Sequence, residues 1–307
     1  MIRKEVLMNP GKCFLFSLVL LLCGAALPSP AAGEGRSKMI APGVYAITDL
    51  GFSNCGFIVT DEGVVVVDTL LIPAFAEEMV KEIRAVTDKP VKYVINTHWH
   101  TDHVGGNETF VPQAHIISHT FTRQIIVQRR KEQEEDKVDE SLKSLGKFTF
   151  VPPDITFDES LTLYLGGKEI DLRFLGGGHS GGDIIVYLPK EKVLFSGDLL
   201  IKGSGMPDYR DDSNIDALIE SLKRMQALDV DKIISGHMGT AEKKDIQGSI
   251  DKLLAFRQQV KKYVDKNIPP EKAAEEIKFP EGENPFYEHN FKKVILKVYS
   301  DVKNPRR

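Results

Sequence analysis

The segment from Asn96 to His103 (NTHWHTDH) constrains this chain more than any other stretch. It places His98, His100, Asp102 and His103 within six residues, directly after the apolar run VKYVI. Such a run reads as a strand buried on both faces, and side chains just past its end stand at the rim of a sheet, where ligands bind. Burying three imidazoles and a carboxylate together strands several polar groups, each at a cost of about 2 kcal/mol or more. A cation removes that cost. The pattern therefore predicts a metal site and a fold that delivers further ligands to the same rim.

The chain has 8 His in all. His179 lies in GGGHSGGD and His237 in SGH; both follow β-rich runs, and the glycines around them let backbone approach closely. Asp198 ends the run KVLFSGD in the same style. Five His and two Asp at strand ends are the ligand count that two zinc ions of four to five coordination require. His115, His119 and His289 lack this context and are expected to be structural or surface residues.

Around these residues the pattern is mostly strand. VYAIT, CGFIVT and VVVVDT occupy 44–69, with a turn at Asp61-Glu62-Gly63, and read as hairpin-linked strands. A helix is expected after Pro73, with Phe75, Met79, Ile83 and Val86 on one face and Pro90 beyond its end. A short strand over 114–118 precedes a long helical region, 119–146, whose charged middle suits a solvated face. Strands resume at 155–157, 161–165, 168–175, 183–188 and 192–196, with a helix at 213–228 and a strand at 232–236. Two β-rich sets, each followed by helices, without regular βαβ alternation or a Gly-rich phosphate loop, predict an α/β fold, a four-layer αββα sandwich. The expected organisation is a linker at 32–42, a catalytic domain over 43–240 and a C-terminal helical region over 241–307, broken at Pro269-Pro270 and Pro280.

The first 31 residues carry Arg3, Lys4 and Lys12, then the apolar run CFLFSLVLLLCGAAL and small residues near Ala31. This is the layout of a secretory signal peptide, and the apolar run is short for a membrane span. The expectation is an exported chain, periplasmic or secreted, with no stable membrane anchor after cleavage. Cys55 is then the one remaining cysteine, so no internal disulfide can form. A formal net charge of -4, with no basic arm, argues against nucleic acid and leaves a small-molecule substrate as the expected partner.

In this order, HxHxDH, GHSGGD, SGD and SGH resemble the metallo-β-lactamase superfamily over roughly residues 43–240. The resemblance implies the αββα sandwich with metals at one rim. It implies that His98, His100 and His179 hold a first zinc, and that Asp102, His103 and His237 hold a second. Asp198 bridges the two or binds the second, and Asp68 in VVVVDT orients a ligand imidazole. The implied chemistry is hydrolysis of a carbonyl compound, a β-lactam or a related amide, ester, lactone or thioester, by a water that the metals activate. Asp102 also orients that water. The phrases VINTHWHTDHVGGN and DDSNIDALIESLKRM look similar to class B β-lactamases of the branch that has a cysteine ligand. Asp198 departs from that cysteine, which puts efficient β-lactam hydrolysis in doubt. Lys202 stands four residues after Asp198, one off the spacing of that branch's substrate-binding lysine, and is a weaker candidate for a substrate contact. Trp99 reads as a packing residue, Asp183 as the anchor of its glycine loop, and Asn214 as a helix cap; Tyr209 and Met206 are assigned no role. The competing readings are an oxidoreductase resembling mononuclear iron persulfide dioxygenases, and a non-catalytic metal-binding module.

Overall fold

In a computed structural model of the protein, residues 36–138, 140–204, 209–283 and 285–305 are described. The predicted signal segment and Met206 lie outside these residues. β1 (Lys38–Ala41), β2 (Val44–Ile47), β3 (Cys55–Val59), β4 (Val64–Val67), β5 (Val91–Ile95), β6 (His115–His119) and β7 (Ile155–Phe157) form one sheet in sequence order. β8 (Ser160–Leu165), β9 (Lys168–Phe174), β10 (Ile184–Leu188), β11 (Val193–Gly197), β12 (Lys232–Ser235) and β13 (Thr240–Ala241) form a second, in the order β13-β12-β11-β10-β9-β8.

The period of two along a strand explains why the apolar runs are continuous. In β4, Val65 and Val67 face the second sheet, where Leu172, Ile184, Val186 and Phe195 meet them. Val64 and Val66 face outward onto Met79 and Ile83 of α1 (Pro73–Val86). In the second sheet Ile234 points inward, whereas Leu194 and Ile233 point outward onto Leu218 and Leu222 of α5 (Ile215–Gln226). The same outer layer holds α6 (Lys243–Asp265), α7 (Pro270–Glu276) and α8 (Phe291–Lys303). The result is the αββα sandwich expected from the sequence. Each Val or Ile so buried contributes about 1.5–3 kcal/mol.

Three local expectations need correction. Residues 38–41 form an edge strand within the expected linker; its half-exposed KMIA sequence lacks the continuous apolar signal. The helical region 119–146 is α3 (Thr120–Glu134) and then α4 (Glu140–Ser144), interrupted where Asp136 takes a positive φ of 53°. Val86 closes α1 exposed at 38 %, and Ala76 takes its place on the buried face.

The ligand-bearing loops leave the ends of β5, β9, β11 and β12. β4 and β5 run parallel, as do β11 and β12, so these ends share one rim. The two sheets are tied there by backbone bonds from Ile184 N to Thr97 O (2.9 Å) and from Asn54 N to Gly236 O (2.7 Å). Among the described residues no helix is long and apolar enough to cross a membrane.

Candidate metal centre

His98 and His100 sit in the turn after β5, and Asp102 and His103 lie on the single turn α2 (Thr101–Val104). This turn is fixed by a buried amide pair: Asn96 Nδ2 donates to Asn107 Oδ1 at 3.0 Å, and Asn107 Nδ2 donates back to Asn96 Oδ1 at 2.9 Å. Gly105 packs where a Cβ would lie 1.9 Å from Leu71 O, so only glycine lets α2 settle here. The loop holding His179 is gathered by Asp183, whose carboxylate accepts from His179 N (3.0 Å), Ser180 N (2.7 Å) and Ser180 Oγ (2.6 Å). That is the anchoring role expected of it. Asp198 follows β11 and His237 follows β12. A Cβ on Gly236 would stand 1.9 Å from Asp198 Oδ1, so that glycine makes the approach of the two loops possible.

The fold brings all seven predicted side chains together. Two sets form, His98, His100, His179 and Asp198 in one and Asp102, His103 and His237 in the other, with ligand atoms within 4.8 Å of one another in each. Asp198 lies between them. Its Oδ2 is 3.3 Å from His179 Nε2 and 3.3 Å from His237 Nε2, and its Oδ1 is 3.2 Å from His103 Nε2. Asp102 Oδ2 stands 3.4 Å from His103 Nε2 and 3.3 Å from His237 Nε2. His179 Nε2 and His100 Nδ1 approach to 3.0 Å, a distance at which two ring nitrogens share either a proton or a cation. The Nε2 atoms of His98, His100 and His103 are buried and make no hydrogen bond. His98 Nε2 and His103 Nε2 converge on the Asp198 carboxylate, at 3.9 and 3.2 Å, and orphaned imidazole nitrogens so placed fit a metal ion at both sets.

Electrostatics point the same way. Burial, reinforced by neighbouring cationic groups, holds His98 and His100 well below 6.5, in the neutral form that a metal ligand needs. Burial pushes the Asp198 and Asp102 carboxyls up, but His237 and His103 outweigh it and hold both well below the usual range. Burial pulls His103 down, but Asp102, Asp198 and Asp68 outweigh it and raise it well above 6.5. His237 is pushed to about 10 against its own desolvation, chiefly by Asp198 and Asp102. The carboxylates thus favour positive charge at His103 and His237, a position that a bound cation could take instead.

Asp68 does two things. Its Oδ2 meets His103 Nδ1 at 2.9 Å and so fixes that ring, and its two oxygens also accept from Thr97 N (2.8 Å) and Thr97 Oγ1 (2.7 Å). It does so from a left-handed backbone, φ 59°. Lys202 is exposed in the turn after Ile201; there it adds to the charges of Lys244 and Lys232 in lowering the Glu242 carboxyl. Trp99 is buried, donates from Nε1 to Asp212 Oδ2 at 2.9 Å and is flanked by the guanidiniums of Arg129 (5.4 Å) and Arg210 (5.2 Å). Asn214 caps α5 by accepting from Ala217 N at 2.9 Å. Tyr209 is buried in the core under the outer helices. His119 caps α3 and stacks on Phe174, His115 pairs with Asp154 at the surface, and His289 is exposed.

Sequence reasoning missed the loop between β2 and β3. There Phe52 O accepts from His237 Nδ1 (3.0 Å), Asn54 Nδ2 donates to Ser235 O (2.7 Å), and Ser53 Oγ donates to Asp102 O. These are a backbone carbonyl and two generic polar side chains that bond over long sequence separations, and nothing in their local pattern names the partner.

The sequence profile of the metallo-beta-lactamase superfamily matches residues 48–237. The 2,4-dinitroanisole O-demethylase subunit alpha of Nocardioides sp. is 27% identical over 214 residues, 68% of this chain and 59% of that one. A linear primary-alkylsulfatase of Pseudomonas sp. is 23% identical over 261 residues, 71% of this chain and 48% of that one. The chain therefore spans about half to three-fifths of the length of these two relatives. The solved structure of a metallo-beta-lactamase from Pontibacter korlensis superposes with a TM-score of 0.59 at 23% identity, covering 71% of this chain and 98% of that one. With more than half its length matched and its His and Asp ligand sets gathered at one rim, the chain belongs to the metallo-beta-lactamase superfamily.

Proposed function

We propose that the protein is an exported hydrolase that binds two zinc ions and cleaves a small-molecule substrate. The observation that carries this reading is the placement of the Asp198 carboxylate, with contacts of 3.2–3.3 Å to histidines of both ligand sets. A carboxylate so placed can join two ions into one centre. When bound, such a pair supplies Lewis acidity and a water of pKa lowered to about 7. The chain's own groups do the rest. His98, His100 and His179 hold the first ion, and Asp102, His103 and His237 hold the second. Asp68 keeps the His103 ring turned, and the Phe52 carbonyl does the same for His237. Asp102, the most exposed of the ligands with a side chain 17% accessible, faces the open side and is placed to orient water.

For the substrate, a carboxylate stands where the β-lactamases that the sequence resembles carry cysteine. The two relatives named for an O-demethylation and an alkyl sulfate also point toward oxygen-linked substrates. Ester-type substrates therefore come first and β-lactams second. The test is a panel of aryl esters, lactones, thioesters, an alkyl sulfate and a chromogenic cephalosporin, run on the zinc-loaded chain with a chelated control. Chelator-sensitive turnover of at least one oxygen ester, at about 10⁴ M⁻¹s⁻¹ or more, supports the reading. A zinc-loaded chain inert to the whole panel contradicts it.

A further inference from the structure

The helices after residue 240 lie outside the segment shared with the family, yet they reach the limb of chain that leaves Asp198. That limb, Leu199 to Ser204, has little regular structure of its own. On the rim side Leu200 O accepts from Gly236 N at 3.1 Å and from Ser196 Oγ at 3.4 Å, and Leu200 N donates to Gly197 O at 3.4 Å. Its far end is tied to the C-terminal layer. Ser204 Oγ donates to Glu283 Oε2 (2.8 Å), and Ser249 Oγ of α6 donates to Ser204 O (3.1 Å). Lys252 Nζ, also from α6, donates to Gly203 O (2.8 Å) and pairs with Glu283 Oε1 (2.6 Å). The Glu283 side chain is only 3% exposed. A carboxylate that deeply buried is costly unless paired, and here it joins the limb and α6 in one polar knot. Between the knot and Asp198 lies a cavity of about 10 Å³, lined by Asp198, Leu199, Ile201, Ser204, Ser249 and Leu253 among others. The same short stretch of chain carries Asp198 at one end and the knot at the other, so what holds the knot also bears on the position of the carboxylate.

We propose that Glu283 is a positioning residue for Asp198: by fastening Ser204 and Lys252 it fixes the limb and so the shared carboxylate of the metal centre. The consequence for metal rests on the reading that Asp198 is a ligand; the consequence for the limb does not. Two readouts on the full-length chain separate them. The first is amide hydrogen exchange over 199–204 in chelated protein. The second is zinc affinity, from competition with a chromogenic chelator. Arg257→Ala serves as control, because it removes a comparable α6 tie, to Asp216 of α5, without touching the limb.

Glu283→Ala is expected to speed exchange over 199–204 and to weaken the more loosely held zinc by about tenfold. Arg257→Ala is expected to change neither. Glu283→Gln, which keeps the acceptor for Ser204 but loses the charge facing Lys252, is expected to recover most of the affinity and serves if the alanine variant does not fold. Unchanged exchange over 199–204 in the Glu283 variants overturns the proposal, and so does faster exchange with unchanged zinc affinity. A wild-type chain that holds no zinc refutes the proposed function, while the exchange result still decides whether Glu283 holds the limb.

Discussion

At the residue scale the centre is a charge balance. Asp68 and Asp198 are buried and Asp102 is half-buried around five imidazoles, and the carboxylates raise His103 and His237 above the ordinary imidazole value. The sign of the pH dependence follows. His237 is raised from 6.5 to about 10, so its pairing stabilises the metal-free fold fully below pH 6.5, and that contribution is lost as pH climbs through about 10. Urea unfolding of the chelated chain should therefore show stability falling across that window, with a shallower fall in His237→Gln; equal slopes contradict the assignment. Asp68→Ala removes the acceptor that turns His103 and is expected to lower zinc affinity by about 10–100-fold, measured by chelator competition. Gly236→Ala drives a methyl into Asp198 Oδ1 and backbone, and is expected to displace Asp198 and lose zinc even where the protein still folds. An alanine variant with normal zinc content would show that the two loops have slack the packing does not suggest.

At the scale of elements, legibility follows burial. The strand VVVV was readable because it faces apolar layers on both sides, which forces a continuous apolar run, and VKYVI because its end, Val94 and Ile95, does the same. The α5 helix was readable from its apolar stripe and its Asn cap. Asn214→Ala is expected to cost about 1 kcal/mol in denaturant unfolding, the usual value of a lost cap; no change in midpoint would mean the cap is satisfied otherwise. Elements whose stability comes from a neighbour alone were not legible. β1 is an edge strand recruited by β2, and the break after α3 has no Pro or Gly to announce it. The ligands themselves were legible because their chemistry is costly to bury without metal. Their supports, the Phe52 carbonyl, Asn54 and Glu283, were not, because a backbone carbonyl, an amide or a surface-type carboxylate carries no sign of a partner that folding brings from more than 75 residues away.

At the scale of the molecule, two sheets meet on a shared apolar core and deliver loops from both to one rim. One candidate set draws on one sheet (His98, His100) and on the other (His179 and Asp198), and the second set likewise (Asp102 and His103, with His237). The candidate centre thus spans the sandwich, so a metal held there would also tie the two sheets together. Zinc removal is accordingly expected to lower the thermal midpoint as well as to abolish turnover. The measurement that tests the central claim most directly is metal content per chain after zinc loading and removal of free metal, made on the wild type beside Asp198→Ala. The account predicts two zinc ions per wild-type chain, and fewer than two, with both sites weakened, when the shared carboxylate is gone. A single redox-active iron in the wild type, or two firmly held zincs in the variant, would contradict it.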